Sequence, residues 1–136
     1  MARLHLAALC ACGALAACGD PALTCAEVDL TCAPLYSPTF ANVYNNTIAM
    51  KCGDDRSACH SESGRAGGLS LADADTAYAE LTDPSAMRII PGDVSCGHLI
   101  ARLYSDEGSL VMPSNAPLGD SERCAIAQWI AAGAMP

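Results

Sequence analysis

Positive charge is scarce in this 136-residue sequence, with seven Lys and Arg against fifteen Asp and Glu and a formal net charge of −8. The few cations form no patch, which excludes tracking along a phosphate backbone and electrostatic docking on anionic lipid. Aromatic residues are also few: one Trp, one Phe and four Tyr. Much of the apolar content is Ala, which buries little area. A small domain so composed needs cross-links or an embedded cofactor to hold it. No run alternates as a strand would. Beyond the first twenty residues no run is apolar and long enough to span a bilayer. The acidic residues are scattered and no Ser/His/Asp or metal-hydrolase spacing occurs, so an enzyme is not expected.

What is present begins at the N-terminus. Met1-Ala2-Arg3 is a short positive start, and Leu4 to Ala17 is an apolar run of signal-peptide length. It ends in Leu15-Ala16-Ala17-Cys18, which resembles the bacterial lipobox. There, small residues fit the signal peptidase and the cysteine thiol takes a diacylglyceryl group before cleavage. The resemblance implies a mature chain starting at Cys18, anchored by lipid in the cell envelope and facing the periplasm. Several acyl chains hold a protein to a membrane where one would not. The alternative is an ordinary secretory signal cut after Ala-x-Ala. Cys10 and Cys12 would leave with the signal. Asp20 stands one place beyond the position that favours inner-membrane retention in some sorting systems, so the outer membrane is favoured. Loss of residues 1–17 leaves six basic residues against fifteen acidic, a net charge of −9.

Beyond Cys18 there are six cysteines: Cys25, Cys32, Cys52, Cys59, Cys96 and Cys124. An even number in an oxidising compartment reads as up to three disulfides, with connectivity open. Residues 18–36 read as a tether with a small disulfide loop closed by Cys25 and Cys32, and residues 37–136 as one domain. Ser37-Pro38 reads as a helix start. Phe40, Val43, Tyr44, Thr47 and Ile48 recur at helical spacing, predicting a helix over 38–50. Further helices are expected over 73–81, with Tyr78 and Leu81 inward, over 95–104, and over 120–132, with Gly133 terminating the last. The fold class is all-α: a small domain of about four helices joined by long loops. Long structureless loops in a compact domain make sense when they wrap a cofactor.

Six short pieces in this order resemble a class I cytochrome c, more narrowly the planctomycete-type domains carried by exported proteins. They are Cys59-His60, Gly67-Gly68-Leu69-Ser70-Leu71, Ile90-Pro91-Gly92-Asp93, Leu99-Ile100-x-x-Leu103, Met112-Pro113 and Trp129-Ile130-Ala131-Ala132-Gly133-Ala134. The resemblance covers residues 38–134. It implies haem c as cofactor, with His60 as the proximal iron ligand and Met112 as the distal one, a thioether that raises the potential. It further implies electron transfer, with a redox partner protein. Met50, Met87 and Met135 are expected to be packing or surface residues, and His98 likewise.

The sequence departs from the family at one position. Covalent attachment uses Cys-x-x-Cys-His, and the first cysteine's place is taken by Arg56. The nearest upstream cysteine is Cys52. Three outcomes stay open: attachment through Cys59 alone, attachment through Cys52 and Cys59 across a longer loop, or a Cys52–Cys59 disulfide in a domain without haem. A single thioether leaves an odd number of thiols, so Cys52 and Cys59 are expected to share a fate. Cys25 and Cys32, with the same spacing and no histidine after them, read as a disulfide, and Cys96 with Cys124 as another joining the third helix to the last. Two functions follow: a c-type electron carrier, or a haem-free, disulfide-stabilised binding or structural module. Copper on Cys, His and Met is a third reading that suits the ligand types but not the spacing.

Overall fold

The computed structural model describes residues 25–53 and 59–136. The signal segment, Cys10, Cys12, the lipidation candidate Cys18 and Arg56 lie outside the described residues. Among the described residues the architecture is helical, and the only paired extended backbone is an isolated bridge between Ile90 and Asp93. No helix there is long and apolar enough to cross a membrane.

The first helix, α1, begins as Phe40–Val43, widens into a π-helical stretch over Tyr44–Ile48 and ends as Ala49–Lys51. Its N-cap is Thr39 rather than Ser37. The Thr39 hydroxyl accepts the Asn42 amide at 3.3 Å, while the Ser37 carbonyl takes the Asn42 side chain at 3.1 Å. The apolar stripe does as its spacing predicts: Phe40, Val43, Tyr44, Thr47 and Ile48 are all buried. Helix α2 is Ala74–Thr82, capped by the Asp73 carboxylate on the Thr76 amide at 2.9 Å. Helix α3 is His98–Leu103, shorter than the expected 95–104 because Gly97 caps it in extended conformation. A Cβ at Gly97 would lie 3.1 Å from the Arg88 carbonyl oxygen, so the chain must pass Arg88–Ile90 closely before turning helical. Helix α4 is Asp120–Ala131, and Gly133 leaves it at φ +97, the left-handed exit that glycine makes without strain.

The scarce aromatics are concentrated at one place. The Phe40 ring lies 5.0 Å from Tyr78, 5.4 Å from Trp129 and 5.9 Å from Tyr44, centroid to centroid. This cluster joins α1, α2 and α4, and the Leu71, Leu81, Ile100, Leu103, Ile126 and Ile130 side chains fill in around it. Its polar tips are satisfied at the C-terminus: the Trp129 indole donates to the Met135 carbonyl at 2.7 Å and Tyr78 to that of Ala134 at 3.1 Å.

The disulfides correct the expected pairing. Cys25 is bonded to Cys96 and Cys32 to Cys124, bridging 71 and 92 residues. Cys25 and Cys32 do not close a local loop because residues 25–36 run across the helical body, with a turn at Leu30–Thr31. The Ala26 amide donates to Ser95 at 2.8 Å, the Leu35 amide to Ser121 at 2.9 Å, and the Gln128 side chain donates to both Leu30 and Cys32 at 3.1 Å. Each cysteine is therefore delivered to a different partner. What reads as tether is, from residue 25 onward, a strap on the domain. Closing loops this long removes about 4–5 kcal/mol of unfolded-chain entropy for either bridge taken alone.

Candidate haem-attachment site

The end of α1 and the segment after residue 59 are held against each other by backbone. The π-helical widening brings the amides of both Cys52 and Gly53 onto the Ile48 carbonyl, at 2.9 and 3.0 Å. The Cys52 carbonyl then accepts the His60 amide at 3.3 Å. Gly53 is where the chain crosses Leu71: a Cβ there would stand 2.0 Å from the Leu71 carbonyl oxygen. That carbonyl also accepts the Tyr44 hydroxyl at 3.4 Å.

His60 is gripped twice by the same short segment. Its carbonyl accepts the Leu71 amide at 2.7 Å, and its ring Nδ1 lies 3.4 Å from the Leu69 carbonyl oxygen. A carbonyl only accepts, so Nδ1 is the donor in this contact, and in the neutral ring Nε2 is the nitrogen left with its lone pair. Cys59 is exposed and its carbonyl accepts the Ala66 amide at 2.7 Å. Neither Cys52 nor Cys59 takes part in the two bridges. Cys52 is largely enclosed, and burial pushes its thiol up to about 11, with smaller upward contributions from Cys59 and Glu122 and a downward one from Lys51. Two thiols, an imidazole and a turn of backbone are thus collected at one place.

Met112 is carried by a separate element. Its amide donates to the Arg102 carbonyl at 3.0 Å, and the Arg102 guanidinium reaches on to the Leu110 carbonyl at 3.3 Å, so the loop before Met112-Pro113 is moored to α3. Met112 is half-buried and the peptide bond to Pro113 is cis. His98 is exposed, as are Met50, Met87 and Met135.

Several contributors have no signature in the sequence. Glu80 on α2 accepts the Ser70 amide at 2.8 Å and pairs with Arg65 at 2.6 Å. The Ser70 amide bond is the main reason its carboxyl lies below the usual range. Behind Cys52, the buried Glu122 carboxylate pairs with Lys51 at 2.7 Å and caps α4 through the Gly119 amide at 3.1 Å, while the Tyr36 and Thr47 hydroxyls bond to each other. Gly119–Glu122 is local, but no spacing announces the Ser70–Glu80, Tyr36–Thr47 and Lys51–Glu122 contacts, whose partners lie 10, 11 and 71 residues apart.

Residues 57–115 match the family described as Planctomycete cytochrome C. The match, over 59 of the 136 residues, supports a planctomycete-type cytochrome c domain in that stretch. The matched stretch opens two residues before Cys59 and closes two after Pro113, so both expected iron ligands of the cytochrome c domain fall inside it. It is narrower than the expected 38–134, and Cys52 lies before it. No curated protein and no solved structure matches the chain. Among the described residues of this cytochrome c domain, no three His, Cys, Asp or Glu side chains gather as ligands for a metal ion of their own.

The residues present suit covalently attached haem in their donor chemistry. Cys59 offers an accessible thiol for a thioether, Cys52 lies beside it, and the adjoining imidazole meets Leu69 through Nδ1, leaving Nε2 as the nitrogen that could take a metal. Met112 provides the soft sulfur that completes such a set.

Proposed function

We propose that this protein is a c-type cytochrome, exported and held to the envelope by lipid on Cys18, that passes electrons to a redox partner protein. The observation that carries the reading is the His60 ring. Its Nδ1 proton is given to the Leu69 carbonyl, immediately after Cys59 and inside the stretch that matches the cytochrome c family. A neutral imidazole so held is oriented with its Nε2 lone pair free for a metal, which is what an iron ligand requires.

In this reading His60 Nε2 and Met112 Sδ would be the protein donors to the haem iron, and Cys59 with Cys52 would hold the porphyrin through thioethers. When bound, the haem supplies a one-electron iron couple whose potential the thioether ligand raises. The chain does the rest. Leu69 holds the imidazole, Leu71 holds the His60 backbone, Arg102 moors the methionine loop, and the Phe40–Tyr78–Trp129 cluster closes the core. The assignment is to electron transfer and not to a reaction on a bound substrate. The cell envelope facing the periplasm, with the outer membrane favoured, is the proposed location.

The test is an absorption spectrum of the mature protein made in a host with working cytochrome c maturation. A red protein whose bands sharpen on reduction, and whose colour is lost in Cys59→Ala, is expected; a colourless protein overturns the reading. Lipid on Cys18 is checked separately, by mass spectrometry of the N-terminal peptide and by release of Cys18→Ser from the membrane fraction.

A second reading, a haem-free binding or structural module, is favoured by a different observation. Two long-range disulfides already tie together a core closed by its own aromatic side chains. It requires a third bridge, Cys52–Cys59, in the isolated protein. Porphyrin on either sulfur eliminates it.

A further inference from the structure

We infer that Glu80 is a positioning residue for the His60 imidazole, acting through the backbone of residues 69–71. The inference rests on His60 as the proximal ligand for its consequence, but its geometry stands apart from haem. Three consecutive residues hold His60: the Leu69 carbonyl takes its ring proton, the Leu71 amide takes its carbonyl, and between them the Ser70 amide points the other way. Ser70 is 2% exposed, so its amide must be satisfied from within the protein. Glu80 Oε2 does this at 2.8 Å, a charge-assisted bond from a rigid helix.

The other carboxylate oxygen, Oε1, takes Arg65 at 2.6 Å. Arg65 sits at φ +40, a left-handed conformation that costs a non-glycine residue energy and therefore needs support from its surroundings. One carboxylate thus joins both ends of the turn that runs from Arg65 to Ser70. Arg88 reinforces it from the same side, donating to the Glu80 carbonyl at 2.8 Å and to the Gly68 carbonyl at 3.3 Å. An exposed Arg–Glu pair alone would contribute little. The bond to a buried amide, one residue from the carbonyl that sets the histidine tautomer, is what gives Glu80 a role at the site. Outer partners of this kind decide ring orientation and ligand basicity.

The experiment compares the full chain, haem-free and disulfide-bonded, with Glu80→Ala and Glu80→Gln by ¹⁵N-resolved NMR of the histidine rings. Wild type is expected to show His60 as a single Nδ1–H tautomer where the ring is neutral. Glu80→Ala is expected to show both tautomers and faster exchange of the Nδ1 proton. Glu80→Gln keeps an oxygen for the Ser70 amide and should keep the wild-type signal. An unchanged tautomer in Glu80→Ala overturns the proposal, and so does a loss in Glu80→Gln as complete as in Glu80→Ala. Dispersed amide signals report folding in the same spectra. If Glu80→Ala does not fold, Glu80→Asp, which withdraws the carboxylate by one methylene, replaces it with the same expected loss.

In the haem-loaded protein the reduction potential of the shortened variant should rise above those of wild type and Glu80→Gln, because the histidine donates less. Equal potentials in all three would remove Glu80 from any role toward the iron. A protein that never takes up haem would count against the proposed function, while the ring tautomer would still decide the role of Glu80.

Discussion

The Lys51 ammonium lies 2.7 Å from the Glu122 carboxylate, joining the end of α1 to the first turn of α4 directly beside Cys52. The two ends differ in exposure. The Lys51 side chain is 43% accessible and that of Glu122 11%, so removing the lysine leaves a nearly buried carboxylate without its cation. Such a loss costs 3–5 kcal/mol when both partners are buried. Discounted for the exposed lysine, Lys51→Ala should cost about 1–2 kcal/mol in urea unfolding.

The same carboxylate sets an acid limit. Desolvation alone would raise Glu122, but the Lys51 hydrogen bond, the Gly119 amide and the Lys51 charge together bring it below its ordinary 4.5. A depressed carboxyl stabilises the fold above its unfolded value, and that stability is lost as pH falls through the folded one. Unfolding midpoints measured from pH 6 downward should fall below about pH 4.5, and Glu122→Gln should flatten that dependence.

Cys52 sets a limit at the other end. Its thiol is raised from 9.0 to about 11, so the unfolded chain releases this proton first. In the haem-free protein with Cys52 reduced, stability should therefore decline as pH rises from about 9 to 11, by on the order of 2 kcal/mol. Cys52→Ser should remove the decline. In the haem-free protein under native conditions, iodoacetamide should label exposed Cys59 well before enclosed Cys52, read by peptide mass.

Gly53→Ala is expected to be among the most damaging single-methyl changes in the chain. The new Cβ would meet the Leu71 carbonyl carbon at 2.6 Å as well as its oxygen, and both are backbone. Overpacking against backbone that cannot move should cost at least about 2 kcal/mol. Calorimetry of the variant should show a lower Tm, and the His60 ring signal should shift because Leu71 also holds the His60 carbonyl.

Non-reducing peptide maps should return Cys25 linked to Cys96 and Cys32 linked to Cys124. Cys32→Ser with Cys124→Ser should cost about 2–5 kcal/mol. A Cys25–Cys32 peptide would contradict the strap.

Much of this protein was legible without coordinates. The apolar spacing of Phe40, Val43, Tyr44, Thr47 and Ile48 marked α1, the expected 73–81 fell within a residue of α2 at each end, and Gly133 marked the end of α4, because caps and periodicity are local properties that neighbouring residues express together. Cys59-His60 and Met112-Pro113 are contiguous pairs, readable as residue types, and both lie within the stretch that matches the family. Disulfide partners were not legible. The spacing of Cys25 and Cys32 suggested a local loop, whereas the actual bonds depend on where the strap passes Cys96, ahead of α3, and Cys124 on α4. The groups that place the candidate ligands, Glu80 under Ser70, Leu69 on His60 and Arg102 behind Met112, were equally hidden. A sequence displays residue types and short-range period. Which carbonyl accepts a histidine proton, and which carboxylate holds that carbonyl in place, is decided only when packing brings distant segments within hydrogen-bond reach.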